Sequence, residues 1–183
     1  MEYYNRIIKE SFIIVIISSL IGLISGGVLS FNQGVFYSIP IILLILPSMN
    51  SLIGDISTVL VSRLTTHLYI GTLAPEIRRS ERLKEDFLGI LFTILLSLGA
   101  LILLGYGLGI ATQVEIINPF LVILVVSIDI LFIFLILFVF LFISAVLLFK
   151  RGKDPNNTLI PIVTSLADFL TPLLLIILIQ IFI

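Results

Sequence analysis

Long apolar runs fill most of the chain, and short polar clusters separate them. A helix needs about 20 apolar residues to cross the hydrocarbon core of a bilayer. Five stretches meet that length, near 7–29, 36–70, 87–110, 119–149 and 157–183. The pattern predicts an all-α, polytopic membrane protein with five transmembrane helices, residues 1–183 forming a single transmembrane domain. The second span is long and interrupted by Pro40, Pro47 and Gly54, so a broken or kinked helix is expected there. The amino end carries Glu2 and Glu10 and lacks a small-residue cleavage pattern. It reads as the start of a first helix and not as a signal peptide.

Two spans carry polar residues at helical spacing. In the fifth, Asn157, Pro161, Thr164, Asp168 and Thr171 are spaced 4, 3, 4 and 3, which places them on one face. In the second, Ser51, Asp55, Thr58, Ser62, Thr65 and Tyr69 are spaced 4, 3, 4, 3 and 4, with Asn50 just ahead. A polar stripe on an otherwise apolar span reads as a pore lining. The competing reading is that small hydroxyls, Ser62 and Thr65 above all, glue helices together. Carboxylates are harder to absorb that way, because an Asp at a helix centre costs about 2.5–3.5 kcal/mol on insertion scales.

Local signals support the fifth span. Asp154-Pro155 sets an extended turn, after which Asn156 or Asn157 is placed to cap the helix. Pro161 removes a backbone donor and frees a carbonyl near Asn157, an oxygen ligand wherever it meets protein or water. Asp129, in the fourth span, has apolar surroundings with only Ser127 near. Two readings stand for it: a pore-lining acid, or a protonated group bonding between helices. Arg63 is the natural counter-charge for an acid near the inner end of the second span, or else snorkels to the interface. His67 reads as a packed or interfacial histidine.

Composition narrows the chemistry. The chain is 60% hydrophobic and 11% charged, with no cysteine and one histidine. Both stripes therefore offer carboxylate, amide, hydroxyl and carbonyl oxygens and no sulfur. Hard cations such as Mg²⁺ and Ca²⁺ prefer such ligands. Mg²⁺ keeps several waters, so it needs a wide, wet site with one or two carboxylates. Asp168, paired with its copy in a second subunit or with Asp55, suits that. A net charge of −1 gives no basis for nucleic-acid binding, and no nucleotide-binding motif is present. Arg6 and Lys9, then Arg78, Arg79, Arg82 and Lys84, then Lys150, Arg151 and Lys153 fall on alternate loops, whereas the other loops have neither residue type. That asymmetry predicts a cytoplasmic amino terminus and an outside carboxyl terminus, most naturally in a plasma membrane.

The stretch LPSMNSLIGDISTVLVSRLTTHLYIGTL resembles the second-helix signature of the MgtE-type magnesium transporters and their eukaryotic solute-carrier relatives, through Pro47, Gly54-Asp55, Ser62-Arg63-Leu64 and Gly71. Asp154-Pro155, Pro161, Thr164 and Asp168 resemble the fifth-helix signature. The resemblance implies a homodimer with its ion path along the dimer interface, Asp168 as the central cation ligand, and Mg²⁺ as cargo, with Mn²⁺ or other divalent ions as variants. Gly54-Asp55 stands where the family has Gly-Asn, which adds one negative charge per subunit. The cytosolic sensor domains of bacterial members are absent from this sequence.

The expected metal-binding residues are thus Asp168, Asp55, Asn157, Thr164 and Asp129, and the expected pore lining adds Asn50, Ser51, Thr58, Ser62, Pro161 and Thr171. The expected partners are the bilayer and a second copy. Two other functions compete: a non-transporting membrane assembly partner, and an intramembrane enzyme. The enzyme reading finds no Gly-x-Gly-Asp form at Gly54-Asp55, no His-Glu-x-x-His and no Gly-x-Ser-x-Gly motif.

Overall fold

The computed structural model of the protein describes residues 2–115 and 118–182. Residues 116–117, in the loop ahead of Pro119, and Ile183, the expected end of the fifth span, lie outside the described residues. The helices are α1 (Glu2–Phe31), α2 (Gln33–Tyr37), α3 (Pro40–Tyr69), α4 (Glu81–Ala111), α5 (Pro119–Lys150) and α6 (Pro155–Phe182), and no strand occurs among the described residues. Five of them, all but α2, are long and apolar enough to cross a membrane. The protein is therefore an all-α integral membrane protein, as its hydropathy pattern predicts.

Helix ends follow local chemistry. Ser80 caps α4 by accepting the backbone N–H of Leu83 at 3.1 Å. Asn118 holds a left-handed backbone, φ 38°, and its side chain caps α5 just ahead of Pro119. At α6 the cap is Asp154, whose Oδ1 accepts the backbone N–H of Asn156 at 2.9 Å. The sequence pointed to Asn156 or Asn157 for that role. Asp154 takes it because Pro155, with no N–H to satisfy, occupies the first helical position.

The break in the second span also lies earlier than its inner prolines suggest. Residues 38–39 separate α2 from α3, and α3 then runs unbroken through Pro47 and Gly54. Proline is tolerated inside a membrane helix where neighbours re-satisfy the freed backbone groups.

Helix α3 packs against α4, α5 and α6, and α5 packs against α6. Leu60 and Leu64 of α3 and Ile130, Ile133, Leu137 and Leu141 of α5 are fully buried in this core. Phe87 of α4 stacks on Phe134 of α5 at 5.7 Å and meets Phe138 edge-on at 5.0 Å. Helix α1 stands outside, packed on α6. The outer faces, including Phe12, Leu20 and Leu23 of α1, Phe92 and Leu103 of α4, and Phe132 and Val139 of α5, are exposed and apolar, as a lipid-facing surface requires.

One glycine is demanded by this packing. A Cβ at Gly105 would sit 2.6 Å from Cγ2 of the buried Ile45, so α3 and α4 approach as closely as they do only without a side chain there. Gly105→Ala is expected to lower thermal stability by about 1–3 kcal/mol in detergent melts. Gly99→Ala, where a Cβ would meet nothing within 4 Å, should change little. Equal melting of the two variants would mean that α3 and α4 do not meet at Gly105.

Candidate functional site

The polar stripes of α3 and α6 become neighbouring faces. On α3, Ser51 and Asp55 are exposed and Thr58 and Ser62 are half-buried. On α6, Asn157, Thr164 and Asp168 are exposed and Pro161 is half-buried. Gly54 of α3 faces Thr164 of α6: a Cβ there would lie in ordinary contact, 3.9 Å, with Cγ2 of Thr164. Asn50 of α3, next to Ser51, is half-buried, and its Oδ1 has no hydrogen-bond partner among the described residues. Ser51 Oγ donates to Asp55 Oδ2 at 3.4 Å, one turn along the same face.

Both acids lie mid-helix, Asp55 near the middle of the 30-residue α3 and Asp168 at the middle of the 28-residue α6. A carboxylate facing lipid there is costly. The α3–α6 face must therefore meet water or protein and not acyl chains. Among the described residues, no three acidic or histidine side chains converge to hold a metal. The face offers instead one carboxylate on each helix, Asp55 on α3 and Asp168 on α6, with hydroxyl oxygens on both.

The rest of each stripe is covered by neighbouring helices. Thr171 is 0% exposed and Thr65 is 3% exposed, and neither Oγ1 has a hydrogen-bond partner among the described residues. Asp129 of α5 is also 0% exposed, with no hydrogen-bond partner for either carboxylate oxygen among the described residues. The structure thus sets Asp129 and Thr171 inside the helix bundle, apart from the exposed face that carries Asp55 and Asp168.

Two features had no counterpart in the sequence reading. The first is an ionic cluster where α3 meets α4. Asp86, 1% exposed, accepts from Arg63 Nε at 2.8 Å and from Arg63 Nη2 at 2.6 Å. His67 Nε2 lies 3.3 Å from the other Asp86 oxygen and accepts from Arg82 Nε at 3.2 Å. Arg82 also pairs with Glu85 at 2.9 Å. Arg63 is thus the counter-charge of an acid, as one of its two readings expected, and that acid is Asp86 of α4, while His67 is packed, 6% exposed, as expected. A signal for Asp86 existed: it precedes the buried Ile90, Ile94 and Leu98 at a spacing of four.

The second feature is a pair of serines on α1. Ser18 Oγ donates to the Pro161 carbonyl at 2.8 Å and also pairs with Ser165 Oγ. Ser25 Oγ donates to the Asp168 carbonyl at 2.5 Å. Both bonds link residues 143 apart, so α1 and α6 run parallel.

A family model described as MgtE, divalent cation transporter, matches residues 46–178. That match begins in α3 and ends in α6, so it contains both polar faces and leaves out α1 and α2. No curated protein and no solved structure matches the chain.

Proposed function

The chain belongs to the MgtE family of divalent cation transporters, and on that premise we propose that it carries Mg²⁺ through a pore at a homodimer interface lined by α3 and α6. One observation carries the reading. Two acids, Asp55 and Asp168, are exposed mid-helix on a single polar face of a membrane protein. A second copy laid against this face would cover it and bring two Asp168 carboxylates to one axis. That matches what a hydrated Mg²⁺ takes, one or two carboxylates with its waters kept. Thr164, Asn157, Ser51, Thr58 and the Asn50 amide would line the path as hydrogen-bond partners of those waters. Asp129 and Thr171 stand behind the path in the closed subunit. Mn²⁺ and Ca²⁺ share the preference for oxygen ligands and would compete. The basic loops favour a cytoplasmic amino terminus in a plasma membrane. The membrane potential would then drive inward flow, by about 4.6 kcal/mol for two charges across 100 mV.

The absence of native cysteine makes the dimer face directly testable. Ser51→Cys should form a covalent dimer with a short thiol cross-linker in membranes, whereas Phe92→Cys, on the apolar outer face of α4, should not. Cross-linking at Phe92 alone would put the interface on α4 and refute the α3–α6 pore.

Asp55 offers a second test. It adds a charge per subunit on the exposed face, so Asp55→Asn should weaken apparent Mg²⁺ affinity by roughly three- to tenfold through lost Coulomb attraction. Unchanged half-saturation in a proteoliposome flux assay would place Asp55 off the path.

A further inference from the structure

We propose that Ser25 of α1 is a positioning residue for the Asp168 cation site, supplying the hydrogen bond that Pro172 withholds from the Asp168 carbonyl. The inference rests on the reading of Asp168 as an ion-path residue. In a regular helix the carbonyl of Asp168 would accept the N–H of residue 172, four positions on. Position 172 is a proline, which has no N–H. Pro172 is itself buried, in a part of α6 packed among other helices, so water is a poor substitute donor. Ser25 Oγ fills the vacancy at 2.5 Å, from a side chain only 4% exposed.

The bond is one of a matched pair. Ser18 and Ser25 are seven residues apart on α1, and their acceptors, the carbonyls of Pro161 and Asp168, are seven apart on α6. Two turns of one helix are thus fastened to two turns of its parallel neighbour. The upper fastening falls on the residue whose carboxylate faces the path. Ser25 holds the backbone beneath that carboxylate from the α1 side. Without the serine, the proline-weakened turn loses its only side-chain donor to that carbonyl among the described residues, and the carboxylate loses its fixed height and direction. Partners that orient a metal ligand commonly change metal affinity or activity by about 10–100-fold when removed.

The test uses the full chain in proteoliposomes and reads Mg²⁺ flux against Mg²⁺ concentration. Ser25→Ala should raise the half-saturating concentration about tenfold, with the maximal flux changed much less. Pro172→Ala restores the missing N–H, so in that background Ser25→Ala should have no further effect on half-saturation. A simple packing role for Ser25 would not be suppressed in this way. Should Ser25→Ala alone fail to fold, the comparison of Pro172→Ala with the double variant still decides. A tenfold difference between those two, or wild-type half-saturation in Ser25→Ala, overturns the inference. Asp168→Asn is run alongside. If it lowers flux while Ser25→Ala does not, only the positioning role falls. If it leaves flux intact, the ion-path reading of Asp168 falls and the positioning role falls with it.

Discussion

Asp168→Asn should reduce Mg²⁺ flux at low concentration by about 100-fold or more. The substitution keeps side-chain size and one acceptor oxygen. It removes one charge per subunit, hence two at the proposed dimer axis. A divalent ion held through water about 5 Å from a carboxylate gains several kcal/mol at an effective dielectric near 20. Losing even half of that exceeds the 2.7 kcal/mol that corresponds to 100-fold. Asp168→Glu keeps the charge on a longer arm and should fall between wild type and Asn. Dye-reported flux into proteoliposomes measures all three, and detergent melts should show the variants equally folded. Wild-type flux in Asp168→Asn would remove this carboxylate from the path. A uniform loss of stability would recast it as a packing residue.

Arg63→Met should be among the most destabilising single substitutions in the protein. Asp86 is 1% exposed and depends on Arg63, which is itself 47% exposed. Removing the arginine leaves a buried carboxylate with only His67 nearby, and breaking such a pair costs roughly 3–5 kcal/mol. The partial exposure of Arg63 argues for the lower end of that range. The reverse substitution is milder. Asp86→Leu frees a guanidinium that can extend toward the interface, at about 1 kcal/mol. The double variant leaves no unpaired charge and should melt within about 1–2 kcal/mol of wild type. A double variant no better than Arg63→Met would show that the arginine contributes by packing and not by neutralising Asp86.

The spans were legible because a bilayer imposes a length on any helix that crosses it, whatever its partners. The α3–α6 face was legible because a 3.6-residue period survives in the order of Ser51, Asp55 and Thr58, and of Asn157, Thr164 and Asp168. Where that face stops was not legible. Thr65 and Thr171 continue the period, yet neighbouring helices cover them, and coverage depends on packing that no local pattern records. Asp86 was hidden by its context. It follows Arg78, Arg79, Glu81, Arg82, Lys84 and Glu85, and a mixed-sign run looks solvated until Ser80 is seen to start a helix that carries Asp86 inward. Ser18 and Ser25 look like minor interruptions of an apolar run. Their meaning depends on two prolines more than a hundred residues away.

That separation bears on how the protein is made. Helix α1 enters the bilayer well before its packing partner exists, because Ser25 and Asp168 are 143 residues apart in the chain. At roughly 5–20 residues per second, the ribosome takes about 7–30 s to cover that distance. Throughout that interval the hydroxyls of α1 have no carbonyl of α6 to receive them. When α6 inserts, it brings a proline-opened turn that α1 is already in place to close. Completion of α6 and capture of the waiting α1 thus become a single late assembly step, and a nascent chain halted before α6 leaves α1 without its packing partner.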